Sequence, residues 1–187
     1  MAQRRLIGLA GYARSGKDTV ADWLVTTQGF QKHAFAEVMR NALYTLNPNI
    51  DFEGHRVYLR AIVDAHGWEA LKEASLEYRP LMQRLGTEVG RMMFGENVWV
   101  DRVMNQLNGV DVIADVRFPN EADAIKAAGG EVWCIIRPEI EQDRSHSSET
   151  ALEGYDFDAE LINDSSLADL FNLVDHLVRE RVTTWQQ

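Results

Sequence analysis

The chain has 187 residues, 45% hydrophobic and 26% charged, with 29 acidic against 19 basic side chains and a formal net charge of −10. This is the composition of a globular single domain, and its acidity argues against broad binding to a nucleic-acid polymer, so small anionic ligands held in a local basic pocket fit better. The single cysteine excludes a disulfide framework, and the absence of an apolar run near ~20 residues or of an apolar leader after Met1 predicts a cytoplasmic protein with no membrane span.

The first expected element is a strand over residues 5–10, which runs straight into Gly11-Tyr12-Ala13-Arg14-Ser15-Gly16-Lys17-Asp18-Thr19. The stretch reads as a phosphate-binding loop. Gly11 and Gly16 let the backbone turn tightly and approach an anion, and Lys17 puts a point charge between terminal phosphates. The glycine and lysine spacing alone recurs by chance in roughly one chain in twenty of this length. The context sharpens it: residues 18–25 have helical spacing, so the first N–H groups of that helix would aim at the phosphates. The position after the lysine usually carries a magnesium-binding hydroxyl, but here it is Asp18, with Thr19 one later. A carboxylate beside phosphates is repulsive without a cation, so Asp18 is expected on magnesium directly or through water, with Thr19 on an inner phosphate. The plain alternative for Asp18 is a first-turn carboxylate favoured by the helix dipole.

A second strand over residues 31–35 precedes a long helical insertion, about 36–107, broken at Asn47-Pro48-Asn49 and near Gly67 and Gly86. That length suits a helical subdomain over the strand tips holding a second substrate; the alternative is a cover for the sheet. Inside it, Arg84 and Arg91 lie seven residues apart, which on an α-helix returns them to about one face, able to converge on an anion. Leu81, Leu85 and Val89 would pack the other side, and Gln83 and Thr87 offer an amide and a hydroxyl to a base or sugar. A solvated charged helix is the competing reading.

The third strand, 110–115, ends on Asp115, followed by Arg117 and a helix that Pro119 and Asn120 can start. Asp115 can hold magnesium through water or orient an arginine, and Arg117 can neutralise a transferring phosphoryl group, against the alternative of a structural salt bridge. The fourth strand, 131–137, contains Cys134, read as a buried strand residue. After it, the polar stretch from Pro138 to about 150 reads as a mobile lid whose Arg137 and Arg144 close onto phosphates and exclude water, with His146 as a loop or capping residue. A fifth strand, 159–163, leads through Asn163-Asp164 to an amphipathic helix, which sets Asn163 beside the first loop, either against adenine or as a plain turn residue. Strands alternating with helices indicate a parallel sheet covered on both faces, with ligands at the strands' carboxyl ends.

Together, the Gly11–Thr19 loop, Gln83-Arg84-Leu85-Gly86-Thr87-Glu88 with Arg91 and Trp99, Asp115-Val116-Arg117-Phe118-Pro119-Asn120-Glu121, and the Asn163-Asp164 turn resemble the deoxynucleoside monophosphate kinases of bacteriophages, within the P-loop kinases. The Lys-Asp-Thr ending is itself similar to that family. The resemblance implies a three-layer α/β/α P-loop kinase fold, with a helical acceptor-binding insertion at about 36–107 and a lid at about 138–150. It implies transfer of the γ-phosphoryl group of ATP, with Mg2+, to a deoxynucleoside monophosphate (dNMP). By the same resemblance, Gly11, Ala13, Arg14, Ser15, Gly16, Lys17, Asp18, Thr19 and Asn163 would hold ATP. Lys17, Arg117, Arg137 and Arg144 would act in catalysis, and Arg84, Arg91, Gln83, Thr87, Trp99 and Asp115 would hold the dNMP. A phage origin, the host cytoplasm and a homodimer are further implications. Tyr12, Tyr44, Phe94 and Trp99 stay open as the side chain that crowds the sugar 2′ position. The rival readings are a P-loop kinase of another phosphorylated metabolite, of the dephospho-coenzyme A or phosphomevalonate type, and a non-enzymatic nucleotide switch or motor ATPase.

Overall fold

In this computed structural model, residues 5–140 and 150–185 are described. The apolar run of Arg5–Ala10 forms strand β1, buried along nearly its whole length because it lies in the middle of a five-stranded sheet. The other strands of that sheet are β2 (Gln31–His33), β5 (Val110–Ile113), β6 (Glu131–Ile136) and β7 (Ala159–Ile162). The order is β2-β5-β1-β6-β7, with every pairing parallel. The chain thus goes from β1 outward to β2, returns to β5 and crosses β1 to reach β6 on its other side, so the loop after β1 sits at the switch point where such sheets bind ligands.

Residues of alternating parity along β1 face opposite layers. Ile7 and Leu9 belong to a core cluster with Val20, Ala21 and Leu24 of α1 (Lys17–Gln28). The last helix, Leu167–Trp185, adds Leu170, Val174 and Val178 to the same cluster. It also stacks Phe171 on Trp23 of α1, with ring centroids 4.0 Å apart. On the opposite layer, Gly8 lets Ile125 of the helix Pro119–Ala127 come so close that a β-carbon there would stand 2.6 Å from its Cδ1.

The chain divides into two compact units, Ala36–Arg102 and the segments on either side of it. The Ala36–Arg102 unit has its own core of Leu43, Ile50, Leu59, Ile62, Leu71, Tyr78 and Leu85. It is less uniformly helical than its composition predicts. After α2 (Phe35–Leu46), Asn47 takes a left-handed conformation (φ 51°) and its N–H caps Leu43 O at 2.8 Å, ending the helix. A hairpin follows, β3 (Asn49–Phe52) and β4 (His55–Tyr58), turned by Glu53 and Gly54 with φ of 52° and 79°. Two central residues with positive φ make the turn that suits strand twist, but a Glu-Gly pair announces it less clearly than Asn-Gly. Helix α3 (Leu59–Ala74) is interrupted at Gly67 as expected. Gly86, in contrast, breaks nothing: α4 (Tyr78–Arg84) runs on into a wider, π-type helical stretch, Leu85–Phe94, before α5 (Val98–Met104). Farther along the described residues come α6 (Pro119–Ala127) and α7 (Leu167–Trp185).

Candidate phosphate-transfer site

The loop between β1 and α1 owes its shape to three residues with positive φ: Gly11 (130°), Arg14 (64°) and Gly16 (109°). A side chain at Gly11 would overlap the carbonyl oxygen of Ile135, and one at Gly16 would stand 2.8 Å from Nδ2 of Asn163. Both glycines are thus required twice, by conformation and by close approach. Asn163 fastens the loop: its Nδ2 donates to Ser15 O at 2.8 Å, and its backbone N–H donates to Ile136 O at 2.7 Å. The turn after β7 therefore reaches the loop, and the Asn163 amide is spent on the loop backbone, a role that neither adenine contact nor a plain turn residue describes. Lys17 is buried, and its Nζ donates to Gly11 O at 2.6 Å and Tyr12 O at 2.7 Å. The ammonium is held over the loop's own carbonyls, at the opening of α1.

Two cavities meet at this loop. One, of ≈ 310 Å³, is lined by Arg14, Lys17, Asp18, Thr19, Arg137 and Asn163, among others, and is rich in cations and backbone N–H groups at the helix start. The second, of ≈ 250 Å³, is lined by Tyr12, Ser15, Arg117, Cys134, Arg137, Leu152 and Phe157 with their neighbours. Arg137 lines both. Ser15 Oγ is buried and has no hydrogen-bond partner among the described residues. Tyr12 donates its hydroxyl to Glu153 Oε1 at 2.8 Å, which ties the phosphate loop to the segment that walls the second cavity.

Cys134 is only half-buried and lines that cavity, which corrects its reading as a core residue. Burial, with Glu160 nearby, pushes its thiol up to about 11, so it is neither nucleophile nor ligand at neutral pH. Asp115 lies two residues beyond the end of β5, and its Oδ1 accepts the Phe35 N–H at 2.7 Å, capping the start of α2. One of its oxygens is thus committed to the fold. The turn that presents Arg117 is fixed by the buried carboxylate of Glu121, whose Oε2 accepts the N–H groups of Arg117 (2.8 Å) and Phe118 (3.1 Å) at the start of α6. The sequence signal for Glu121 was its place three residues into a helix that Pro119 opens.

The model of the family described as deoxynucleotide monophosphate kinase matches residues 62–174. A protein of Acanthamoeba polyphaga mimivirus carried under the same family name is 30% identical, over 90% of this chain and 93% of its own. The chain belongs to the deoxynucleotide monophosphate kinase family. The deoxynucleotide monophosphate kinase of Enterobacteria phage T4 is 25% identical, with 94% of this chain and 99% of that protein covered. Shikimate kinase from Aquifex aeolicus aligns with a TM-score of 0.50 at 13% identity, over 95% of this chain and 98% of that one. Dephospho-CoA kinase from Campylobacter jejuni also reaches 0.50, at 12% identity and 100% of both chains. At those identities the two structures speak for the fold alone, the three-layer α/β/α fold of P-loop kinases. Membership of the kinase family makes the chain an ATP-dependent kinase.

In this kinase the expected acceptor residues of the Ala36–Arg102 unit take varied positions. Gln83, Arg84 and Thr87 are exposed, Arg91 is half-buried, and Arg84 Nε is 3.5 Å from Oε2 of Glu88. Because Leu85–Phe94 is π-type, with i→i+5 hydrogen bonding, the spacing of Arg84 and Arg91 no longer equals two α-helical turns and does not by itself align them. Val89, expected to pack inward, is 38% exposed. Trp99 donates its indole N–H to Gly86 O at 2.9 Å and packs against the unit's core, so its polar edge serves the fold. Arg144 and His146 lie outside the described residues.

Asp18 pairs with Lys32 of β2, Nζ to Oδ1 at 2.9 Å, a partner that sequence reasoning missed. The signal was the pair Asp18 and Asp22, one helical turn apart. Asp18 and Thr19 nonetheless both line the cation-rich cavity. Magnesium keeps several waters and takes one or two protein oxygens besides phosphate, so these two residues fit an ion that arrives with the nucleotide. Among the described residues no helix is long and apolar enough to cross a membrane.

Proposed function

We propose that this kinase transfers the γ-phosphoryl group of ATP to the 5′-phosphate of a deoxynucleoside monophosphate, giving the diphosphate and ADP. The observation that carries the reading is Arg137, which borders both the Lys17 cavity and the Arg117 cavity. In this reading the first cavity takes the donor's phosphates, and reaction occurs where the two meet. The acceptor phosphate is already anionic near neutral pH, so a general base is unnecessary; the protein must align two phosphates in line and offset their repulsion. Lys17 and the N–H groups of the loop bind the donor, Arg117 and Arg137 face the transferred group, and Arg144 is assigned to join them. Asn163 acts on the nucleotide through the loop. Magnesium, held by Asp18 and Thr19, would supply positive charge to the β- and γ-phosphates. Arg84 and Arg91, with Gln83 and Thr87, are assigned to the acceptor. Of the four aromatics open for sugar discrimination, Tyr12 lines a cavity beside the loop, whereas Tyr44 donates its hydroxyl to Asp64 at 2.7 Å and Phe94 is 69% exposed.

The test is incubation of the protein with ATP, magnesium and a panel of deoxynucleoside and nucleoside monophosphates, dephospho-coenzyme A and phosphomevalonate, with products read by mass. Diphosphates from the deoxy acceptors are expected. Product from a non-nucleotide acceptor only would refute the substrate, and ADP released without any acceptor would refute the transferase reading.

A further inference from the structure

Helix α1 opens Lys17-Asp18-Thr19-Val20-Ala21-Asp22, which places two carboxylates four residues apart on one helical face. Like charges at that spacing repel each other. Asp18 also borders the cavity assigned to the donor phosphates, where an unbalanced pair of carboxylates would oppose a polyphosphate. Lys32, on the edge strand β2, answers both: its Nζ lies 2.9 Å from Oδ1 of Asp18 and 2.9 Å from Oδ1 of Asp22. The pairing of Lys32 with Val112 on β5 fixes where that side chain starts.

We propose that Lys32 is a charge-balancing and positioning residue for nucleotide binding. It offsets the charge of Asp22 and holds Asp18 by one carboxylate oxygen, so that the two aspartates together present one net negative charge to the nucleotide instead of two. The inference rests on reading the Lys17 cavity as the donor site. Lys32 touches no reacting atom in this scheme; it acts through the electrostatics of the helix start and the placement of Asp18.

The experiment is calorimetric titration with magnesium and a non-hydrolysable β,γ-imido analogue of ATP, so that no turnover is involved. Absence of binding by the natural protein would overturn the donor-site reading and this inference with it. Where the natural protein binds, Lys32→Met is expected to weaken binding about tenfold at low salt, the scale of one uncompensated charge at partly screened range, with the gap narrowing as salt is added. Lys32→Arg should stay within about twofold of the natural protein, because it restores the charge. Adding Asp22→Asn to Lys32→Met should recover most of the loss, since the net charge returns to its original value. Unchanged affinity in Lys32→Met overturns the inference, whether or not its melting temperature falls, and so does a double variant that recovers nothing. Lys32→Gln replaces Lys32→Met if the latter lowers the folded fraction.

Discussion

Lys17 concentrates the chemistry of the site at a single residue. Its ammonium is buried against Gly11 O and Tyr12 O, so it is positioned before any phosphate enters and loses little freedom on meeting one. Lys17→Ala is expected to lower kcat by about 100- to 1,000-fold, the usual cost of removing one preorganised charge-stabilising donor, while leaving the far-ultraviolet spectrum intact. Turnover like that of the natural protein from a folded Lys17→Ala variant would rule out the phosphate-loop assignment. Cys134 gives the opposite kind of expectation. With its thiol raised from 9.0 to about 11, the thiolate share at pH 8 falls from about a tenth to about a thousandth. Iodoacetamide at pH 8 should therefore label the folded protein far more slowly than the urea-unfolded chain, by mass spectrometry; equal rates would contradict the burial. Because the folded-state pKa is the higher one, the contribution of Cys134 to stability is complete below about pH 9 and fades as pH rises toward 11.

Among the elements, the helical run from Tyr78 to Phe94 is the one whose local form the residues disguise. Leu81 and Leu85 do pack inward, as helical periodicity predicts, and they carry α4 into the core of its unit. Beyond Leu85 the helix widens, and Gly90 admits the Trp99 indole so closely that a β-carbon there would overlap the ring. The indole is also pinned by its hydrogen bond to Gly86 O. Gly90→Ala should therefore destabilise the protein by about 1–3 kcal/mol, the range for overpacking a site that cannot shift. Urea unfolding followed by tryptophan fluorescence would register this as a lower midpoint; an unchanged midpoint would mean that the ring moves aside freely. The hairpin β3–β4 escaped periodicity because each strand is four residues long, and its Glu53-Gly54 turn lacks the residues that mark such turns most strongly.

For the molecule as a whole, the decisive feature is that Ala36–Arg102 has a core of its own, distinct from the one between the sheet, α1 and α7. A core substitution should then be felt first within its own unit. Leu71 is fully buried, and Leu71→Ala should cost about 2–5 kcal/mol. Hydrogen exchange should accelerate in Leu43, Ile62 and Leu85 while the amides of β1 and β6 keep their protection. Uniform acceleration across both units would show a single cooperative block instead. The net charge of −10 belongs to this scale too, since an acidic molecule admits a polyphosphate only where basic groups are gathered, as Arg14, Lys17 and Arg137 are around one cavity.

What the sequence determined by itself was local: five parallel-sheet strands, a glycine-bounded loop ending in Lys17, the helix start at Pro119 and the break at Gly67. Each rests on neighbours in the chain, through apolar runs, positive-φ glycines and capping, and such signals survive without knowledge of the fold. Tertiary structure alone decided which side chains meet. It gave the Asp115 carboxylate to the Phe35 N–H, the Asn163 amide to Ser15 O, Lys32 to two aspartates and Arg137 to both cavities. In the first two cases the partners are 80 and 148 residues apart in the chain and meet only through strand order and register, which no local pattern encodes, while Lys32 meets its aspartates through the way β2 packs beside the helix that precedes it.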